Sequence, residues 1–212
     1  MRRTRVLLAD DHKLLLQAFE KLLEPDFEVV GAVGDGHALL AAALELKPDV
    51  IVLDITMPRL NGMIAAKRLL QTMPEVKLIF LTVNEDADLA SEAMRIGASG
   101  YLLKSSSASE LVYAIEVALQ GKSYVTPMIM GEMVTSLANG RQPREASAKL
   151  TTRQREVLQL LAEGRSMKEA ATILDLSART IAFHKYRIME ALGLKTNADL
   201  VQYAIKHKFI SL

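Results

Sequence analysis

Short apolar runs alternate with amphipathic segments through the first 120 residues. Most runs are continuous rather than alternating, as expected for parallel strands that are covered on both faces. They are Val6–Ala9, Val29–Val33, Val50–Leu53, Leu78–Leu81 and Tyr101–Leu103. The segments between them place apolar residues at helical spacing, as at Leu111, Ala114, Ile115 and Ala118. Five strands alternating with five helices predict a doubly wound α/β domain.

The pattern changes after the fifth predicted helix. Residues 127–138 predict one further helix, with a proline near its first position. The polar stretch 139–147 has no periodicity and predicts a linker, with a long surface loop as the alternative. We therefore expect a first domain at 1–122, a linker helix and flexible linker at 123–148, and a second domain at 149–212.

The second domain contains no strand-like run, and its periodicity predicts four helices. They lie near 152–162, 167–174, 178–192 and 197–207. Three predicted helices of the chain begin with a capping-box pattern. The paired residues are Ser107 with Glu110, Thr151 with Gln154, and Ser166 with Glu169. We expect a small all-α domain of four helices beside the α/β domain.

Composition limits the possible functions. The chain is 50% hydrophobic, enough to bury a sizeable core, and has no cysteine. A disulfide scaffold, a thiolate metal site and a cysteine nucleophile are thereby excluded. The apolar run at the N-terminus stops at Asp10, too early for a signal segment or a membrane span. We expect a soluble, cytoplasmic protein that has no membrane partner.

The formal net charge of +1 hides an uneven distribution. Residues 1–139 hold 13 Lys/Arg and 18 Asp/Glu, a net charge of −5. Residues 140–212 hold 13 Lys/Arg and 7 Asp/Glu, a net charge of +6. Such asymmetry suggests a nucleic-acid partner for the basic part.

Three carboxylates follow two strands of the predicted sheet. Asp10 and Asp11 end the first strand and Asp54 ends the third. In the flavodoxin-like strand order 2-1-3-4-5 these strands are neighbours, and ligands bind beyond their carboxyl ends. Like charges about 4 Å apart repel by about 4 kcal/mol at an effective dielectric of about 20, so the cluster needs a cation or raised pKa values. Oxygen ligands of this kind suit Mg²⁺.

A hydroxyl and an ammonium group end the next two strands, at Thr82 and Lys104. Together they are suited to bind the oxygens of a phosphoryl group. Each residue alone has a simpler reading, because Asp11 or Thr82 could cap a helix, Asp54 could cap a turn, and Lys104 could be a solvated loop lysine. The presence of all these groups in this order favours a phosphoryl site.

Residues 5–120 resemble a receiver domain of two-component signalling. The matching residues are Asp10–Asp11, Asp54 within Val52–Pro58, Asn61–Gly62, Thr82, and Lys104 at the end of Gly100–Lys104. The resemblance implies that Asp54 accepts a phosphoryl group from a phosphohistidine of a sensor histidine kinase.

The same resemblance implies a role for the neighbouring groups. Asp11, Asp54 and the carbonyl of Thr56 would hold Mg²⁺ directly, with Asp10 helping through water. Lys104 and Thr82 would bind the phosphoryl oxygens. In the family, movement of the threonine lets the aromatic side chain at the Tyr101 position turn inward, which remodels the face formed by the fourth helix, fifth strand and fifth helix.

The spacing of the second domain predicts a helix-turn-helix, with the helix 178–192 as its second helix and Ser177 as its N-cap. Ile181, His184 and Ile188 lie on one apolar stripe of that helix. A different face is suited to the major groove of DNA, and basic residues beside it can meet phosphates. That face carries Arg179, Ala182, Phe183 and Tyr186, with Lys185 and Arg187 beside it. The alternative is that Phe183 and Tyr186 are ordinary core residues.

Residues 150–209 are similar to the DNA-binding domain of LuxR-type regulators. The similarity includes Leu150–Leu158, Ala162–Gly164, Lys168–Ala171, Leu176–Ser177, Thr180–Ile181, His184 and Leu192–Gly193. With the receiver, the chain resembles a NarL/FixJ-type response regulator.

The second resemblance implies base contacts at Ala182, Phe183 and Tyr186. The family frequently has Lys at the Ala182 position, so that contact is not carried over, whereas apolar contact with thymine methyl groups suits the two aromatic rings. The last helix dimerises the DNA-bound domains in relatives, which makes Val201, Gln202 and Ile205 the candidate dimer residues here.

The leading hypothesis is a transcription factor controlled by phosphorylation, which binds double-stranded DNA as a homodimer and is no enzyme beyond its own phosphorylation and dephosphorylation. One alternative is a regulator that works by protein contact alone; the basic charge and helix-turn-helix spacing argue against it. A second alternative is a phosphatase of the haloacid-dehalogenase type. That family needs a second Asp two residues after the nucleophile, where this chain has Thr56.

Overall fold

The computed structural model describes residues 2–138, 150–207 and 209–210. The predicted linker at 139–147 lies outside the described residues. The strands are β1 (Arg5–Ala9), β2 (Glu28–Val33), β3 (Val50–Leu53), β4 (Lys77–Thr82), β5 (Gly100–Leu103) and β6 (Tyr124–Val125). The helices are α1 (Lys13–Leu23), α2 (Gly36–Leu46), α3 (Gly62–Thr72), α4 (Ala87–Arg95), α5 (Ala108–Leu119), α6 (Pro127–Ala138), α7 (Thr152–Ala162), α8 (Met167–Leu174), α9 (Ala178–Leu192) and α10 (Asn197–Lys206).

The N-terminal domain is built on one parallel sheet of order β2-β1-β3-β4-β5-β6. One face packs against α2, α3, α4 and α6, and the other against α1 and α5. Strands β3 and β5 are buried along their whole length because both faces are covered, which explains their continuous apolar runs. The predicted doubly wound fold and the strand order 2-1-3-4-5 are confirmed.

A sixth strand extends the predicted sheet. Tyr124 pairs with Gly100 and Val125 pairs with Tyr101. A strand of two residues is too short to show a periodicity of its own. Helix α6 follows directly, and its Ile129 is fully buried in the same core as Val125. Residues 124–138, predicted as part of a separate linker region, therefore pack as part of the N-terminal domain.

The predicted helix caps form at Ser107, Thr151, Ser166 and Ser177, with one correction. Ser107 accepts the backbone N–H of Glu110, but the Glu110 carboxylate does not return to the cap. It accepts hydrogen bonds from the Tyr124 hydroxyl and the Thr126 hydroxyl instead, both at 3.2 Å. The predicted capping box at this helix is thus half formed, because the carboxylate joins α5 to the sixth strand.

The C-terminal domain consists of the four predicted helices, α7 to α10. Capping boxes form at Thr151 and Ser166 as predicted, and a third forms at Thr196. Ser177 caps α9, and that helix ends at Gly193, whose φ of 67° is readily adopted by glycine. The hydrophobic core of the C-terminal domain includes Val157, Leu158, Ile181, Ile188 and Leu200. In the described part of the chain, no helix has both the length and the apolar character needed to cross a bilayer.

Candidate functional site

The three predicted carboxylates meet at the carboxyl ends of β1 and β3, which are neighbouring strands. Ligand atoms of Asp10, Asp11, His12 and Asp54 all lie within 4.8 Å of one another. Asp10 and Asp54 are each only 4% exposed, so water can do little to solvate their charges. His12 was not singled out from the sequence; its Nδ1 lies 3.0 Å from Asp10 and 2.9 Å from Asp11.

Lys104 bridges two of these carboxylates. Its Nζ lies 2.6 Å from Asp10 Oδ2 and 2.9 Å from Asp54 Oδ2. Burial works to lower the pKa of Lys104, but the attraction and hydrogen bonds of the two carboxylates outweigh it and raise the pKa, which keeps the ammonium charged. Burial raises the pKa of Asp54, and Lys104 offsets this only in part. A further cation here would stabilise the ionised carboxylate.

Short hydrogen bonds orient the two buried carboxylates. Asp54 Oδ1 accepts the backbone N–H of Ile55 at 2.7 Å, which leaves Oδ2 toward Lys104. Asp10 Oδ1 accepts the backbone N–H of His12 at 2.9 Å. His12 is the N-cap of α1, so the alternative in which Asp11 caps this helix is wrong. Asp11 is exposed and adds its carboxylate to the cluster.

Asn61 is the N-cap of α3, and Gly62, the first residue of the helix, lies against the backbone of Asp54. The Asn61 side chain caps the helix by accepting the N–H of Met63 at 2.8 Å. A Cβ on Gly62 would lie 2.0 Å from the carbonyl oxygen of Asp54, a distance that no side chain can occupy. Similarly, a Cβ on Gly36 would lie 2.2 Å from the carbonyl oxygen of Leu60. The predicted Asn61–Gly62 pair therefore lets α3 begin directly against the end of β3. Gly36, which was not predicted, lets the start of α2 lie against Leu60 in the loop before α3.

Thr82, the last residue of β4, and Tyr101, which lies within β5, are both fully buried. Thr82 does not cap α4, whose N-cap is Asp86. The Thr82 Oγ1 accepts the N–H of Asn84 at 3.2 Å, and the Tyr101 hydroxyl donates to the Asn84 carbonyl at 2.8 Å. Burial raises the pKa of Tyr101, so its hydroxyl stays protonated. The Tyr101 ring therefore already occupies the inward position in this structure.

The donor set of the cluster fits Mg²⁺. Oxygen ligands from carboxylates and backbone carbonyls are those that Mg²⁺ prefers, usually with several waters and phosphate oxygens completing its shell. Carboxylate oxygens of Asp10, Asp11 and Asp54 lie within 4.8 Å of one another and can supply such ligands. Thr56, whose carbonyl is the further predicted ligand, lies in the loop two residues after Asp54 and is half-buried.

The predicted DNA-reading face of α9 lies open. Phe183 is 57% exposed and Tyr186 is 67% exposed, so the alternative that they are core residues is wrong. On the predicted apolar stripe of the helix, Ile181 and Ile188 are fully covered and His184 is half-buried. The Arg187 guanidinium lies 5.7 Å from the centre of the Phe183 ring. Of the other predicted contact residues, Ser177, Arg179 and Ala182 are exposed and Lys185 is half-buried.

The predicted dimer residues lie on α10. Gln202 is exposed, whereas Val201 and Ile205 are half-buried.

Helix α7 carries a stripe of polar side chains that the sequence pattern did not single out. Glu156 and Gln159 are fully buried although both are polar. Glu156 pairs with Arg68 of α3, and Arg155 pairs with Glu92 of α4 at 2.9 Å. Polar residues at helical spacing normally indicate a solvated face. Here the stripe contacts the N-terminal domain, and no signal in a single sequence distinguishes the two cases.

An acidic cluster with a bridging lysine on a doubly wound sheet, joined to a helix-turn-helix domain, defines a two-domain signalling protein. Residues 6–116 match the family described as "Response regulator receiver domain". Residues 148–204 match the family described as "Bacterial regulatory proteins, luxR family". The chain belongs to the response regulators of the NarL/FixJ type, as predicted, and these are DNA-binding transcription regulators.

Relatives cover nearly the whole chain. The oxygen regulatory protein NreC of Staphylococcus epidermidis is 34% identical over 215 residues, which cover 97% of this chain and 99% of that protein. A structure of RcsB from Salmonella typhimurium superposes with a TM-score of 0.61 at 28% identity, covering 96% of this chain and 98% of RcsB. RcsB from Salmonella enterica serovar Typhimurium, bound to promoter rprA in the presence of a phosphomimetic, gives a TM-score of 0.62 at 29% identity over 94% of this chain and 98% of RcsB.

Proposed function

We propose that this response regulator binds DNA under the control of phosphorylation at Asp54. The observation that carries the proposal is the ammonium of Lys104, held within 3 Å of both Asp10 and Asp54 in a buried acidic cluster. A sensor histidine kinase is the proposed phosphoryl donor. Phosphorylation would change the contacts between the two domains, favour a homodimer and increase DNA binding.

The proposed chemistry is a direct transfer. A carboxylate oxygen of Asp54 attacks the phosphorus atom, a P–O bond forms, and the P–N bond to the donor imidazole breaks. Lys104 and Thr82 bind the phosphoryl oxygens. Asp10, Asp11, Asp54 and the Thr56 carbonyl would hold Mg²⁺, which when bound offsets the charge that develops during transfer. Later attack by water on the acyl phosphate would return Asp54 to its free form.

The proposed DNA contacts divide by chemistry. Phe183 and Tyr186 face base edges, where their aromatic rings suit the methyl group of thymine, and Ala182 lies on the same face of α9. Four polar or basic residues position the helix against phosphates: Ser177, Arg179, Lys185 and Arg187. The exposure of the two aromatic rings in this structure supports this assignment.

We propose that the active form is a homodimer that uses Val201, Gln202 and Ile205 of α10. A relative has been solved as two RcsB dimers bound to two parallel DNAs. A DNA partner supports a cytoplasmic location, which we propose. Within each chain, the receiver predicted at 1–122 would extend through α6, and the DNA-binding domain would begin near 149.

The decisive test of the site is label uptake from acetyl phosphate in the presence of Mg²⁺. The Asp54→Asn variant removes the proposed nucleophile, and Asp26→Asn makes the same change at an exposed position. We expect no label on the first variant and normal labelling of the second. Unchanged labelling of Asp54→Asn would show that another residue accepts the phosphoryl group.

A further inference from the structure

The loop between β3 and α3, residues 57–61, is held by side chains of the DNA-binding domain. Backbone groups of every second residue in this loop make hydrogen bonds with Gln159 of α7 or with Glu163, the C-cap of α7. The bonds are Gln159 Nε2 to the Met57 carbonyl at 2.8 Å, the Arg59 N–H to Glu163 Oε1 at 3.1 Å, and the Asn61 N–H to Gln159 Oε1 at 2.7 Å.

Gln159 uses its whole carboxamide in this contact. The side chain is fully buried, its oxygen accepts from Asn61, and its nitrogen donates to Met57 and also to Glu163 at 2.7 Å. Only an amide offers a donor and an acceptor side by side; a carboxylate lacks the donor at neutral pH. A hydrophobic side chain of the same length would leave both loop groups without their partner.

The loop has a backbone conformation that needs support. Arg59 has a φ of 66°, in the left-handed region that non-glycine residues rarely adopt. Such conformations persist only where surrounding contacts hold them. Here the N–H of Arg59 is bound to Glu163 of one domain, and its guanidinium is bound to Asp35 of the other. The loop conformation therefore depends on both domains.

We infer that Gln159, a residue of the DNA-binding domain, is a positioning residue for the cation site of the receiver. This inference rests on the proposed function, in which the carbonyl of Thr56 is a ligand of Mg²⁺. Thr56 directly precedes Met57, the first residue that Gln159 holds. Fixing this loop in advance lowers the ordering cost of cation binding. Because linkage is reciprocal, Mg²⁺ in turn strengthens the contact between α7 and the receiver.

This arrangement differs from masking of the DNA-reading face. In the same structure Phe183 and Tyr186 remain mostly exposed while α7 is in contact with the receiver. The receiver therefore acts on the position of the DNA-binding domain, and not on access to α9. Gln159 is the side chain through which that position and the cation site are linked.

Three variants separate this role from simple adhesion between the domains. Gln159→Met keeps a long side chain and removes both amide bonds to the loop. Glu156→Gln is the matched control, because Glu156 is equally buried on the same helix but contacts Arg68 of α3 and not the loop. Gln159→Met and Glu156→Gln both weaken the contact between the domains, but of these two only Gln159→Met releases the loop 57–61. Gln159→Glu keeps the acceptor for Asn61 and loses the donor for Met57.

The test is Mg²⁺ binding by the full chain, measured by titration calorimetry. We expect Mg²⁺ to bind Gln159→Met at least about fivefold more weakly than the wild type, the lower end of typical coupling between sites. Gln159→Glu should bind Mg²⁺ at least as weakly as Gln159→Met, because its buried carboxylate would face the Met57 carbonyl and the Glu163 carboxylate, whereas Glu156→Gln should match the wild type. Equal affinity in Gln159→Met and the wild type would overturn the inference, as would an equal loss in Glu156→Gln.

A distance measurement supplies the second readout. The chain has no cysteine, so cysteines introduced at the exposed Leu44 and Met167 place spin labels at two known positions, one in each domain. Mg²⁺ should narrow the distribution of distances between the labels in the wild type and in Glu156→Gln, but not in Gln159→Met. A wild type that binds Mg²⁺ with no change in distance would refute the linkage alone. A wild type that binds no Mg²⁺ would refute the proposed function and this inference with it.

Discussion

Gly62 offers a direct test of how closely the end of β3, which carries Asp54, must approach α3. In Gly62→Ala the new Cβ would lie 2.0 Å from the Asp54 carbonyl oxygen, whereas real Cβ atoms essentially never approach closer than 3.0 Å. The strand end and the helix must therefore separate by about 1 Å. Overpacking of this kind costs about 1–3 kcal/mol, against a gain of about 0.5–1 kcal/mol from replacing glycine in a helix.

The functional effect should exceed the effect on stability. A displacement of about 1 Å in a reacting group can lower a rate about 100-fold. We expect Gly62→Ala to take up label from acetyl phosphate far more slowly than the wild type, while its melting temperature falls by only a few degrees. The control is Gly131→Ala in α6, where an added Cβ meets nothing within 4 Å. That variant should label normally and melt slightly higher.

Labelling of Gly62→Ala at the rate of the wild type would refute this reasoning. It would mean that the backbone of Asp54 can move away from Gly62 without disturbing the contact with Lys104, which is 2.9 Å in this structure. Slow labelling of both glycine variants would instead point to a general loss of folded protein, which the melting temperatures would reveal.

Two further predictions concern DNA reading and pH. Arg179→Ala should weaken binding to all DNA sequences alike, whereas Tyr186→Ala should change the sequence preference in a selection from random DNA; uniform losses in both would remove the case for base reading by Tyr186. The Nε2 of His37 is buried without a hydrogen-bond partner, and burial, together with Arg68, lowers the pKa of His37 below 6.5. Below about pH 6.5 the unfolded chain therefore binds this proton more readily than the folded chain does. The melting temperature should fall as the pH is lowered from about 7.5 to about 5.5, and it should fall less in His37→Gln. An equal fall in the two proteins would contradict this.

The receiver site was largely predictable because each group follows a recognisable strand. Continuous apolar runs placed the ends of β1, β3, β4 and β5, and parallel strands bring such ends to one edge of the sheet. Asp10, Asp54 and Lys104 meet there for that reason. The helices of the C-terminal domain were predictable because their capping residues are local in sequence. Among the strands and helices of the described residues, β6 alone was not predicted, because a strand of two residues shows no periodicity.

The contacts between the domains could not be predicted in the same way. Glu156, Gln159 and Glu163 lie on one face of α7, and a polar face normally indicates solvent. Whether such a face contacts water or another domain depends on the tertiary structure, and the spacing of residues along the helix does not indicate which. The left-handed conformation of Arg59 and the close approach of Gly36 to Leu60 likewise arise from packing over long sequence distances.

The most direct test of the account is the affinity of the full chain for its DNA site before and after treatment with acetyl phosphate and Mg²⁺. The site is first selected from random DNA, and Asp54→Asn is measured in parallel. We expect at least a gain of about tenfold in affinity for the wild type, equivalent to about 1.4 kcal/mol, and no gain for Asp54→Asn. An equal gain in both proteins, or labelled wild-type protein whose affinity does not change, would contradict it.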